Sequence, residues 1–177
     1  MRHTLAALGA ACLSALFFMG PAKADTPCCF IMNQSTIPNV QSADTVGLSS
    51  IGSVLYMVYQ NAGAFYVTAS TDNGKTWSQP VNTSLSSNWQ YGASMALYKG
   101  DLYIVFSVGA PEAFLSMSQV TLNTSGIPTG VTGTTQLRAN LATTSTPVLV
   151  ASSQGLFLEW DYGTRVNFAQ ISVDQPK

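Results

Sequence analysis

Charge is what this 177-residue chain has least of: Asp, Glu, Lys and Arg together make up 8% of it. Histidine is nearly missing as well, and the single one, His3, stands at the extreme N-terminus. A chain whose body has no imidazole cannot run a Ser-His-Asp or Cys-His mechanism, and it cannot build a zinc site on histidine. Long apolar runs are confined to Leu5–Gly20, so no second segment reads as a membrane span. Cysteine is limited to Cys12, Cys28 and Cys29, with no C-x-x-C spacing.

The first residues explain several of these shortages. Met1-Arg2-His3-Thr4 is a short basic start, the apolar run follows, and Ala22-Lys23-Ala24 has the small-residue spacing of a cleavage site. Residues 1–24 therefore read as a secretory signal peptide, and the product is expected to be secreted or periplasmic. His3, Cys12, Arg2 and Lys23 leave with it. Five basic residues then face eight acidic ones, a net charge of −3, which argues against nucleic acid as a partner. No cofactor and no metal are expected.

Residues 25–41 form an N-terminal segment containing the adjacent pair Cys28 and Cys29. Neighbouring Cα atoms lie about 3.8 Å apart across a trans peptide, below the usual disulfide range. Three states stay open for the pair: a strained vicinal disulfide, bridges between chains, or free thiols.

From residue 42 to residue 177 short runs rich in Val, Ile, Tyr, Phe and Thr alternate with Gly, Asn, Asp and Pro, the pattern of an all-β protein with tight turns. One run recurs. Leu55-Tyr56-Met57-Val58-Tyr59, Leu102-Tyr103-Ile104-Val105-Phe106 and Leu156-Phe157-Leu158-Glu159-Trp160 share an order of aliphatic and aromatic residues, at offsets of 47 and 54. A turn glycine precedes each (Gly52, Gly100, Gly155), and a second strand-like run follows each. Periods of this size belong to propeller blades of four strands, the alternative being a β-sandwich with coincidental spacing. The divisions fall at about 42–86, 87–142 and 143–177.

Within the first repeat, Ser70-Thr71-Asp72-Asn73-Gly74-Lys75-Thr76-Trp77 fits the pattern S-x-D-x-G-x-T-W. This segment resembles the Asp-box of the sialidase-like (BNR-repeat) β-propeller superfamily. The residue types suit a turn: Asp72 can accept backbone N–H bonds, Gly74 can take a positive φ, and Trp77 supplies an apolar plug. The resemblance implies a structural role for Ser70, Asp72, Gly74, Thr76 and Trp77, between the third and outermost strands of a blade and away from the ligand. The second repeat keeps only Asn123 and Gly126 of a comparable turn.

Three blades are fewer than a closed propeller usually needs. Two copies placed head to tail would give six, so a homodimer that closes a six-bladed ring is expected. In the superfamily layout, ligands meet the loops before each innermost strand and those between second and third strands. Here the first set comprises 42–45, 88–91 and 144–146, and the second 60–61, 108–112 and 161–164. Trp89 and Tyr91 fit as sugar-stacking platforms, with Asp161, Tyr162 and Arg165 as hydrogen-bonding partners, whereas Trp160 fits the core. Sialidase chemistry requires a Tyr nucleophile and three arginines. After cleavage the chain has two, Arg138 and Arg165. No catalytic residue is assigned, and the expected function is non-enzymatic, lectin-like binding of a glycan or other hydroxyl-rich ligand. The alternatives are an exo-glycosidase of the sialidase superfamily, a structural or protein-interaction module, or the remnant of a longer propeller.

Overall fold

The computed structural model describes residue 37 and residues 46–86, 91–109, 113–137 and 142–173. These belong to one compact unit, Ser35–Lys177. Residues 1–24, read above as a signal peptide, and Cys28, Cys29, Trp89 and Arg138 lie outside the described residues. Every element in those residues is a strand, and none of their segments forms a helix long and apolar enough to cross a membrane.

Three antiparallel sheets follow one another along the chain, none of them closed. The first has strands β1 (Gly47–Ile51), β2 (Val54–Asn61), β3 (Ala64–Ser70) and β4 (Val81–Ser86), in that order. The second has β5 (Ser94–Tyr98), β6 (Asp101–Val108), β7 (Ala113–Leu122) and β8 (Pro128–Gln136), with the short β9 (Ala142–Thr143) beside the start of β7. The third has β10 (Val148–Ser152), β11 (Gly155–Tyr162) and β12 (Arg165–Ile171).

Local chemistry explains the reversals. Two-residue turns join β1 to β2, β2 to β3, β5 to β6, β10 to β11 and β11 to β12, and at Ala62-Gly63 and Lys99-Gly100 both residues have positive φ, the geometry that matches strand twist. Each recurrent run lies inside the second strand of its sheet. Its residues alternate between two faces, and both faces are used.

On β6, Leu102, Ile104 and Phe106 join a core with Tyr56 and Val58 of β2 and Phe65, Val67 and Ala69 of β3. The intervening Tyr103 and Val105 join a different core with Leu149, Leu156, Leu158 and Trp160 of the third sheet. The second sheet is thus packed on both sides, between the first and the third. Full burial of each such aliphatic or aromatic side chain contributes roughly 1.5–3 kcal/mol.

The first strands of the sheets are neighbours. A Cβ on Gly47 of β1 would stand 2.7 Å from the Ala93 carbonyl oxygen, so a side chain there has no room. On the other flank, Ser94 Oγ of β5 accepts from Leu149 N of β10 at 3.0 Å. Farther out, Tyr56 Oη donates to the Gly126 carbonyl at 2.8 Å and ties the first sheet to the β7–β8 turn.

Candidate functional site

Two ends of the sheets carry different chemistry. At one end the 71–80 loop joins β3 to β4 and contains the Asp-box pattern. Ser70 Oγ donates to Asp72 Oδ1 and accepts from Gly74 N, both at 2.8 Å. Asp72 Oδ1 also accepts from Thr76 N at 2.8 Å, and Asp72 Oδ2 from Thr76 Oγ1 at 2.6 Å. Asn73 and Gly74 have φ of 60° and 82°, which turns the chain sharply enough for these bonds to close. The Thr76 hydroxyl and amide, with the Ser70 hydroxyl, hold the Asp72 carboxyl down to about 2. Beyond the turn, Ser78 N donates to the Ala69 carbonyl at 2.7 Å and leads the chain back along β3. Trp77 is half-buried and is not among the residues of either core.

The second sheet repeats this device with a different residue. Asn123 Oδ1 accepts from Ile127 N at 3.0 Å, the same i to i+4 span that joins Asp72 to Thr76, and Gly126 has φ of 76°. The Asn-to-Gly spacing was the sequence signal for it. At this end an open cleft of about 290 Å³ lies between the β5–β6 and β10–β11 turns, lined by residues that include Tyr98, Lys99, Ser152 and Ser153. Lys99 Nζ sits 5.1 Å from the Tyr98 ring centroid.

The opposite end holds the loops expected to meet a ligand. Gly92 N, one residue past Tyr91, donates to Thr146 Oγ1 at 2.9 Å. Thr144 N donates to the Asp161 carbonyl at 2.8 Å, and Asp161 N to Ser145 Oγ at 3.3 Å. These bonds link the 91–92 segment, the 143–146 segment and the β11–β12 hairpin into one cluster. The segment 88–90, with Trp89, and residues 110–112 lie outside the described residues.

Several expected loop residues turn out to be strand residues. Gln60 and Asn61 finish β2 and Asp161 and Tyr162 finish β11, because the reversals take only two residues at Ala62-Gly63 and Gly163-Thr164, and Val108 finishes β6. Alternation then separates the expected partners. Tyr162 and Arg165 are directly opposed and share one face, while Asp161 opposes Val166 on the other. Tyr162 and Arg165 are exposed and Tyr91 is half-buried. Trp160 packs in the core between the second and third sheets, as expected.

The residue that follows each recurrent run is polar: Gln60, Ser107 and Asp161. All three stand at the loop-cluster end of their second strands. Ser107 Oγ is fully buried and makes no hydrogen bond among the described residues. The described residues contain no group of three His, Cys, Asp or Glu able to hold a metal ion. No protein-family model matches the chain, and no curated protein matches it.

Proposed function

We propose that this chain is an exported, non-catalytic protein built of three sialidase-like propeller blades, and that it binds glycans through the loop cluster around Tyr91 and the β11–β12 hairpin. The observation that carries the reading is the hydrogen-bonded linkage of the 91–92, 143–146 and 161–165 segments. It gathers exposed or half-buried tyrosines and hydroxyl-bearing threonines at the end away from the Asp-box turn. Sugars offer apolar ring faces and a rim of hydroxyls, so aromatic platforms with uncharged hydrogen-bonding neighbours suit them. The blade reading is supported by the sequential strand order of each sheet, by the adjacency of β1, β5 and β10, and by the successive packing of faces.

The test is a glycan array probed with the purified protein, followed by titration of the best hit. Trp89→Ala and Tyr162→Ala are each expected to weaken binding by more than about 1 kcal/mol, as loss of an aromatic anchor does. Release of sialic acid from a fluorogenic substrate is expected to stay at the buffer blank. Turnover that disappears in Tyr162→Phe would instead establish the glycosidase alternative. An empty array would move the function to a protein-interaction module. That second reading has an observation of its own: the outward face of the third sheet exposes Val148, Val150, Val166 and Phe168.

A further inference from the structure

We infer that β12 is an association edge, and that a second copy of this chain pairs with it antiparallel across a two-fold axis centred on Phe168. The argument begins with a difference between the sheets. In the first, β4 runs beside β3; in the second, β8 runs beside β7; in the third, no strand of the described residues runs beside β12.

The outward backbone groups of β12 can be identified from the first sheet. Asn61 and Ala64 flank a two-residue turn, and the third-strand groups left facing outward belong to Phe65, Val67 and Ala69. Thr83 Oγ1 indeed bonds the Phe65 carbonyl, Val67 pairs with Val81, and Ser78 N bonds the Ala69 carbonyl. Tyr162 and Arg165 flank the equivalent turn. Val166, Phe168 and Gln170 therefore present the corresponding groups, and among the described residues no backbone group bonds them.

Exposed edges in soluble proteins are normally blunted by bulges, prolines, lysines or kinks. The outer strands of the other two sheets have such devices. The β3–β4 register shifts between Ala64 and Tyr66, and Ser84 has φ of 60°. The β7–β8 register shifts twice, β8 begins with Pro128, and Gly133 has φ of 64°. β12 has none of them. Its seven residues pair with β11 in unbroken register, without proline, glycine or lysine, and its single charge, Arg165, stands at the turn end of the strand. Val166 and Phe168 are 72% and 69% exposed, and Phe168 stacks on Phe157 with ring centroids 5.5 Å apart.

Self-pairing suits this edge. With Phe168 opposite its own copy, Val166 meets Gln170, Arg165 meets Ile171, and Asn167 meets Ala169. No like charges face each other, and the aromatic stack continues across the axis. A head-to-tail ring would need two open end faces. On the outward face of the first sheet, Leu48 is exposed, but Met57 and Tyr59 are 5% and 2% exposed, so the third sheet has the more open end. Among the described residues β12 is the one outer strand without an interruption, and a single such edge matches an isologous contact, which stops at two copies. The inference rests on the sheet arrangement and not on the glycan reading.

Sedimentation velocity of the purified protein in reducing buffer at micromolar concentration tests it, since reduction removes any bridge through Cys28 or Cys29. A dimer is expected. Phe168→Lys and Phe168→Glu should each halve the sedimenting mass while keeping the far-ultraviolet circular dichroism spectrum of the folded wild type. Mixing the two in equal amounts should restore the dimer, because the residue opposes itself only at a two-fold axis. In the wild type, the amides of Val166, Phe168 and Gln170 should lose protection from exchange on dilution to monomer, a readout that needs no variant. A monomeric wild type, single variants that remain dimeric, or a mixture that stays monomeric would each overturn the proposal. A monomer that still binds its array hit would do so while leaving the glycan reading intact.

Discussion

Asp72 accepts bonds from Ser70 Oγ, Thr76 N and Thr76 Oγ1 while standing at the outer end of the sheet. Its carboxyl titrates at about 2 in the folded chain, against about 3.9 for an unperturbed aspartate. The group therefore stabilises the fold fully above the unfolded value, and that contribution fades as pH falls from about 4 to about 2. Asp72→Ala is expected to melt at lower temperature than wild type at pH 7, with the gap closing near pH 2. Thermal melts at both pH values check it, and an equal gap at both would remove the carboxylate from the argument. The role of this residue was legible because turn chemistry is local: acceptor, positive-φ glycine and hydroxyl all lie within seven residues. Trp77 was less legible. Its burial depends on which side chains the folded loop meets, which spacing does not encode.

At the scale of elements, the three recurrent runs marked the central strands β2, β6 and β11, and turn glycines marked their starts. The assignment of faces was not readable, because β2 and β6 are buried on both sides and show no apolar-polar alternation. Turn length was misjudged for a related reason. Polar Gln60 and Asp161 look like loop residues, yet two-residue reversals let the strands continue through them. Gly47 illustrates what contact between neighbouring sheets demands. A methyl group there would meet the Ala93 carbonyl, just before β5, and the Val58 side chain of its own sheet, at 2.8 Å for the latter. Gly47→Ala is expected to cost about 1–3 kcal/mol through overpacking, read from urea midpoints. A variant of unchanged stability would mean that β1 shifts freely against β5.

Across the whole set of sheets, stability is distributed unevenly. β6 is buried on both faces, whereas β11 has its outward face at the free side of the third sheet. Edge pairing through β12 leaves that face uncovered. Amides of β6 are therefore expected to outlast those of β11 in hydrogen exchange, since local opening follows the number of buried apolar contacts. Equal protection of the two strands would indicate that the sheets open as one unit.

The strand order carries one more consequence. Along each principal path, neighbouring strands are consecutive in the chain, so every backbone ladder there closes within its own repeat and the sheets meet mainly through side chains. A gene segment encoding one repeat can then be duplicated without rethreading any strand. The new unit need only match the faces of its neighbours, so sequence drift on those faces governs how such a lineage lengthens or shortens.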